Sequence, residues 1–530
     1  MPDLLIRGAR IIDGTGAERR RADLAVTAGV ITEPDGAPAA RTIDADGLVL
    51  APGFVDLHAH SDLAVLTEPA HLAKVSQGVT CEVLGQDGLS YAPVDGPTLD
   101  RLRRQLAGWN GNPDGFAWDW RTVGEYLDRL ERSGTAVNAC YLVPHGTLRA
   151  LVVGWQDRPA TAAELDRMRG LLAQGLREGA VGLSSGLTYT PGGYASTAEL
   201  TELCRVVAEH GGYHCPHTRS YGAGALAAYA EMIEVSRRSG APLHLTHATM
   251  NFGVNRGRAG EFLALVDAAL ADGLDLTLDS YPYLPGSTTL AALLPSWATE
   301  GGPDRTLERL AEPAARERIR IAMEERGSDG CHGVVADWAT VQISGVRDPA
   351  LADRVGRTVA ELAGGRGATA AFLDLLLADR LGTTILQHVG HEENVRAIMR
   401  HPVHTAGSDG LLTGARPHPR AWGTFPRYLG HYARELGVLT LEEAVARMTG
   451  RPARRLGLHR RGLIRPGYAA DLVLFDPLTV RDTATFEHPK QAATGIPYVF
   501  VNGVAVIDDG RPTGARAGRT LRRRPTGETR

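Results

Sequence analysis

His58 and His60, in Phe54-Val55-Asp56-Leu57-His58-Ala59-His60, are two imidazoles at positions i and i+2. In extended backbone that spacing points both side chains the same way, and two imidazoles side by side make a metal-ligand pair. Phe54, Val55 and Leu57 read as a short buried strand entered through the Pro52-Gly53 turn, so the pair sits at a strand end. The bland alternative is two polar loop histidines. Recurrence favours the metal, because further His and Asp residues stand at the ends of later strand-like pieces. Asp87 follows Val79–Leu84, His217 follows Tyr213–Pro216, and His244 and His247 lie in one short apolar piece. Asp279 and Tyr281 follow Leu276–Leu278, His388 and His391 follow Ile385–Gln387, and Asp409 follows Thr405–Ser408.

Three histidines and carboxylates drawn from separate strands close a zinc site that keeps one position open. Zinc held in that way lowers the pKa of its water to about 7 and makes a hydroxide nucleophile. Asp409 is then placed to take the proton of that water as general base and return it to a leaving nitrogen as general acid. Its other reading is an Asx turn before Gly410, and for His217 and His247 it is a core or loop histidine. His244 is structural or functional with equal warrant, and His388 and His391 are open between substrate contact and support. Arg420 follows Asp409 by eleven residues. It either grips a substrate carboxylate through two parallel hydrogen bonds or is a solvated charge. Tyr189, Tyr281 and Ser287 offer hydroxyls to a carbonyl or carboxylate.

The elements that must position these groups alternate in type. Apolar strand-length pieces at 137–143, 180–184, 242–247 and 274–279 interleave with helical periodicity at 163–172, 197–209 and 260–270. More than four such units predict an α/β fold of the TIM-type (β/α)8 barrel class, with the chemistry at the C-terminal strand ends. No Gly-x-Gly-x-x-Gly follows a first strand, which leaves a dinucleotide fold without support. Both chain ends read as short, Gly-punctuated strands, so one small composite β-domain built from both termini is expected. The boundaries are 1–51 and 458–530 for that domain and 52–457 for the barrel, with a charged helical insertion near 292–370. The Arg-, Gly- and Thr-rich tail from Arg516 reads as mobile.

The 530 residues carry a formal charge of -4, which points to neither a nucleic acid nor an anionic membrane. No apolar run reaches membrane-spanning length, and the N-terminus lacks the plan of a signal peptide. Five cysteines argue against a disulfide framework, and a cytoplasmic protein is expected. Only Lys74 and Lys490 are lysines among 57 basic residues. Some two-metal hydrolases bridge their ions with a carboxylated lysine on a barrel strand. Lys74 reads as helical and Lys490 lies near the C-terminus, so neither fits that role.

The stretches PGFVDLHAHSD (52–62), SQGVT (76–80), GLSSGLTYTPG (182–192), HTRS (217–220), DSYPY (279–283), GSDG (407–410), HPRAWGTFPRYLG (418–430) and RGLIRPGYAADLVLFDP (461–477) together resemble one family. It is the N-acyl-D-amino-acid deacylases, or D-aminoacylases, of the amidohydrolase superfamily. The resemblance runs to about residue 515. It implies hydrolysis of N-acyl-D-amino acids to a carboxylate and a free D-amino acid. It also implies His58 and His60 as the paired first-strand ligands, His217 and His247 as ligands of a tightly bound zinc, and Asp409 as the catalytic aspartate and a metal ligand. Arg420 is implied to bind the substrate α-carboxylate, with Tyr189, Tyr281 and Ser287 as further substrate contacts.

Two departures stand out. The family pattern Gly-Asn-Cys-Gly, whose cysteine ligates zinc, is here Gly85-Gln86-Asp87-Gly88. Asp87 thus takes the ligand position as a harder donor; one tight zinc is the expectation, with the count of one or two ions open and any second ion weak or bridged by Asp87. The family's His-x-Lys is here His247-Ala248-Thr249, so carboxylate binding leans on Arg420. Related readings are a D-specific dipeptidase, a cyclic amidase, which the missing carboxylated lysine disfavours, and a barrel that binds without catalysing.

Overall fold

The computed structural model describes residues 1–524 and 527–530. Its centre is a sheet of eight parallel strands in chain order. These are β1 (Phe54–Asp56), β2 (Val79–Leu84), β3 (Asn138–Pro144), β4 (Gly182–Gly186), β5 (Tyr213–His217), β6 (Leu243–Leu245), β7 (Leu276–Ser280) and β8 (His404–Ala406). Nearly every residue of these strands is buried, as expected of parallel strands covered by helices. The barrel closes just past the ends of β1 and β8, where Ala59 bridges Gly410 in parallel and the Asp409 N–H donates to the His58 carbonyl at 2.9 Å. The seam therefore brings the His-x-His pair against Asp409.

The surrounding helices follow their local signals. Thr161 and Glu164 form a capping box on helix Ala162–Arg177, and Ser196 caps helix Thr197–Glu209. A second sheet of nine strands joins the two chain ends: Val49–Pro52 runs antiparallel to Leu472–Phe475. Leu4–Ile11 is one strand that runs through Gly8.

Two expectations fail. The piece Ile385–His391 is not a barrel strand end. Thr384–Gln387 is the central strand of a separate three-stranded sheet, between Gly286–Thr289 and Val341–Gly345. That sheet takes one strand from the 292–370 stretch and two from either side of it, and has its own core, including Leu293, Ile343, Phe372 and Ile385. A four-residue strand such as Thr384-Ile385-Leu386-Gln387 looks the same in either sheet, which is why periodicity alone misplaced it. Nor is the tail from Arg516 loose where it is described, Pro525 and Thr526 lying outside the described residues. Gly518 bridges Thr135 and Thr520 bridges Ala139. Leu521 is buried in one apolar cluster with Val55, Leu57, Val83, Cys140 and Leu142. One leucine anchors what composition reads as mobile. All five cysteines are free and buried.

Candidate metal centre

Six side chains named from the sequence converge beyond the strand ends. His58, His60, Asp87 and Asp409 form one group, and Asp87, His217 and His247 form a second, each with its ligand atoms within 4.8 Å of one another. Asp87 belongs to both. It lies three residues beyond β2 in left-handed backbone (φ 53°), and Asp409 is likewise left-handed (φ 49°). Such backbone is tolerated by Asp better than by most residues. Here it turns both carboxylates into one cavity.

The distances would suit ligands around a shared centre. Asp87 Oδ1 lies 3.5 Å from His58 Nε2 and 3.6 Å from His247 Nε2, while Oδ2 lies 3.5 Å from His60 Nε2 and 3.3 Å from His217 Nδ1. Asp409 Oδ1 lies 3.1 Å from His60 Nε2 and 3.6 Å from His58 Nε2. Asp87 Oδ1 is buried and has no hydrogen-bond partner. A buried carboxylate oxygen without a donor is costly, and a cation among four imidazoles and two carboxylates removes that cost. The nitrogen and oxygen donor set suits zinc.

Electrostatics points the same way. Burial opposes a charge on Asp87, but His217, His58 and His247 hold it well below the usual carboxylate range. Asp409 is held low against burial by Arg420 and His58. Burial also opposes protonation of His58, yet Asp87 and Asp409 raise it well above the ordinary imidazole value. The pocket thus concentrates negative charge on two ionised carboxylates, and a divalent cation competes for it with protons on the histidines.

Groups behind the ligands fix their rings. Asp279 Oδ2 lies 3.7 Å from His58 Nδ1 and 2.8 Å from His244 Nε2, while Asp279 Oδ1 accepts the His247 backbone N–H at 2.7 Å. His244 is therefore a support for Asp279 and not a member of either cluster. Thr188 Oγ1 meets His217 Nε2 at 2.7 Å, leaving Nδ1 to face the centre. Such contacts set the tautomer and aim of a ligating imidazole.

The substrate candidates stand around the same cavity. Arg420 is fully buried, with Nη2 donating to Asp409 Oδ2 at 2.9 Å and to the Ser287 carbonyl at 3.2 Å. Its Nε and Nη1 are buried without partners, and its guanidinium lies 4.3 Å over the Tyr281 ring. The solvated-charge reading of Arg420 is excluded. Burial pushes the Tyr281 hydroxyl up to about 12 and that of Tyr189 well above its ordinary value, so both are neutral donors. Ser287 lines the cavity. His388 is exposed and bonds Gln342, and His391 bonds the Phe252 carbonyl, so neither joins the centre.

Trp109 was not singled out from the sequence. Its ring packs 5.2 Å from His60 and 4.8 Å from Tyr189, walling the cavity. Its only sequence signal is an indole inside the polar Gly108-Trp109-Asn110-Gly111 turn region.

The D-aminoacylase of Alcaligenes xylosoxydans xylosoxydans is 37% identical over 528 residues, covering 98% of each chain. A solved structure of D-aminoacylase, described for the role of its binuclear metal centre, superposes with TM-score 0.83 at 36% identity and covers 99% of this chain and 100% of that one. The N-acyl-D-glutamate deacylase of Bordetella bronchiseptica, solved with zinc and a phosphonate mimic of the tetrahedral intermediate, gives TM-score 0.82 at 36% identity, covering 98% and 99%. Amidohydrolase family sequences match residues 41–507 as one profile. With that match spanning most of its length, the chain belongs to the amidohydrolase family.

Proposed function

We propose that this chain is a cytoplasmic zinc hydrolase that cleaves the amide bond of N-acyl-D-amino acids to a carboxylate and a free D-amino acid. The observation that carries the reading is Asp409, which touches the histidine cluster through Oδ1 and the buried Arg420 through Oδ2. One residue thus joins a hydrolytic centre to a carboxylate-binding cation. Near-full-length similarity to a D-aminoacylase supplies the substrate class and its hand. On this reading residues 52–457 form the catalytic barrel, and 1–51 with 458–530 form the small β-domain.

His58, His60, Asp87, His217, His247 and Asp409 would hold the metal, with Asp87 shared between two positions. Zinc bound there supplies Lewis acidity and an acidified water. Asp409 is ionised at rest, so its Oδ1 receives the proton of the attacking water and returns it to the departing amide nitrogen. Arg420, which keeps N–H groups without a protein partner, offers its guanidinium to the substrate carboxylate and fixes the scissile amide relative to Asp409. Tyr189, Tyr281 and Ser287 complete the polar contacts, and the two neutral phenols donate to developing charge on the carbonyl oxygen.

Among the described residues, Arg420 is the one Lys or Arg lining the cavity. Thr249 stands where the family resemblance leads one to expect a lysine. Asn251, Phe252, Leu293, His332 and Gln387 add no charge, since burial holds His332 down to about 3. With its single cation engaged by the α-carboxylate, the pocket favours uncharged side chains.

Metal removal tests the chemistry. Exhaustive chelation should abolish hydrolysis of N-acetyl-D-leucine, and one zinc per chain should restore most of it. Metal-free protein retaining full turnover would refute a metal-dependent mechanism.

A further inference from the structure

Lys74 reads from sequence as an ordinary helical lysine, yet it is completely buried. It sits in a four-residue helix, Leu72–Val75, entered through a left-handed His71 (φ 47°). His71 Nε2 meets Glu82 Oε1 at 2.9 Å, which ties that turn to β2. Lys74 Nζ donates to Asp56 Oδ2 at 2.6 Å and to Ser408 Oγ at 2.9 Å, with Glu82 Oε2 at 3.8 Å.

The partners of those groups are the backbone of the seam. Asp56 Oδ1 accepts the N–H of His58 at 3.2 Å and of Ser408 at 2.9 Å. Ser408 Oγ donates to Asp56 Oδ2 at 2.6 Å and accepts the Gly410 N–H at 3.1 Å. Every backbone group held in this way is within two residues of a metal-centre residue, His58 and His60 on one side and Asp409 on the other.

We propose that Lys74 is a positioning residue of the metal centre, a buried ammonium that clamps the end of β1 to the end of β8. The proposal rests on the metal-centre reading above. Composition supports the need for an ammonium. In a chain with two lysines among 57 basic residues, one lysine occupies a fully buried site and the other, Lys490, is exposed. An ammonium is compact and directs three donors tetrahedrally, whereas a guanidinium is a larger planar fork. Nζ here meets two carboxylates and a hydroxyl converging on one point. The same carboxylates disfavour a carbamate on Nζ, whose negative charge would face Asp56 and Glu82.

The test compares Lys74→Arg and Ser408→Ala with Lys490→Arg as control. The readouts are zinc affinity by chelator competition, kcat and KM on N-acetyl-D-leucine, and thermal melting. Loss of an outer contact of this kind costs about 10- to 100-fold in metal affinity or activity. We expect Lys74→Arg and Ser408→Ala to bind zinc at least about tenfold more weakly. We expect kcat to fall with KM little changed, and Lys490→Arg to match the parent. Ser408→Ala introduces no buried charge, so it decides the matter if Lys74→Arg does not fold. A folded Ser408→Ala or Lys74→Arg protein with parental zinc affinity and kcat would overturn the proposal. Zinc affinity is read without substrate, so its outcome is separate from whether N-acyl-D-amino acids are the substrates.

Discussion

Asp409→Asn lowers kcat by about 10³-fold, a typical share for general acid–base catalysis, while the protein keeps its fold and at least one zinc. The expectation follows from the division of labour around this residue. Asn is nearly isosteric and still accepts from Arg420, but its amide cannot take up the proton of an attacking water. The second ligand group, Asp87 with His217 and His247, does not include Asp409, so metal stays in place. Zinc content and steady-state kinetics on the same preparation check both halves. Turnover within tenfold of the parent at full zinc would remove Asp409 from proton transfer.

Removing the substrate carboxylate is the second large effect. Arg420 is buried with two unpartnered nitrogens, and truncating one partner of a buried charge pair costs about 2–5 kcal/mol. An N-acyl-D-amino acid amide should therefore lose about 10²- to 10³-fold in kcat/KM against the free acid. Arg420→Met should show a matching loss on the acid and discriminate little between acid and amide. This interaction belongs to both ground and transition states, so most of the loss should fall on KM. Equal kcat/KM for acid and amide with the parent enzyme would rule out the carboxylate grip.

The fold was legible where it is local. The two-residue spacing at His58 and His60, the helical period at 197–209 and the strand-length runs all report short-range geometry. The helix starting at Thr197 and the barrel class follow directly from those signals. What was hidden depends on contacts between distant parts of the chain. Asp87 is legible as a strand-end carboxylate, but its role as a ligand came from family resemblance, because its left-handed backbone carries no periodicity. Arg420 looks the same as a surface arginine in the sequence, and its contacts with Ser287 and Asp409 depend on the folded chain. Lys74 reads as helical and so off the barrel strands where a bridging carboxylated lysine would lie, and a four-residue helix shows no buried face in the sequence. Its partner Ser408 lies 334 residues away. The strand Thr384–Gln387 has a barrel-like composition and a different sheet, since strand pairing is decided by neighbours and not by the strand itself.

The most direct test of the proposed function is release of free amino acid from paired N-acetyl-D- and N-acetyl-L-amino acids. The side chains would be leucine, methionine, phenylalanine, asparagine and glutamate, with metal-quantified, zinc-reconstituted enzyme. The predicted result is rapid hydrolysis confined to the D series. Uncharged members should lead, with glutamate at least about tenfold slower because no second Lys or Arg among the described residues lines the cavity. Fast glutamate release would contradict the reading of the pocket while leaving the reaction intact. No hydrolysis of any D member by enzyme with bound zinc, or a preference for the L series, would contradict the central assignment.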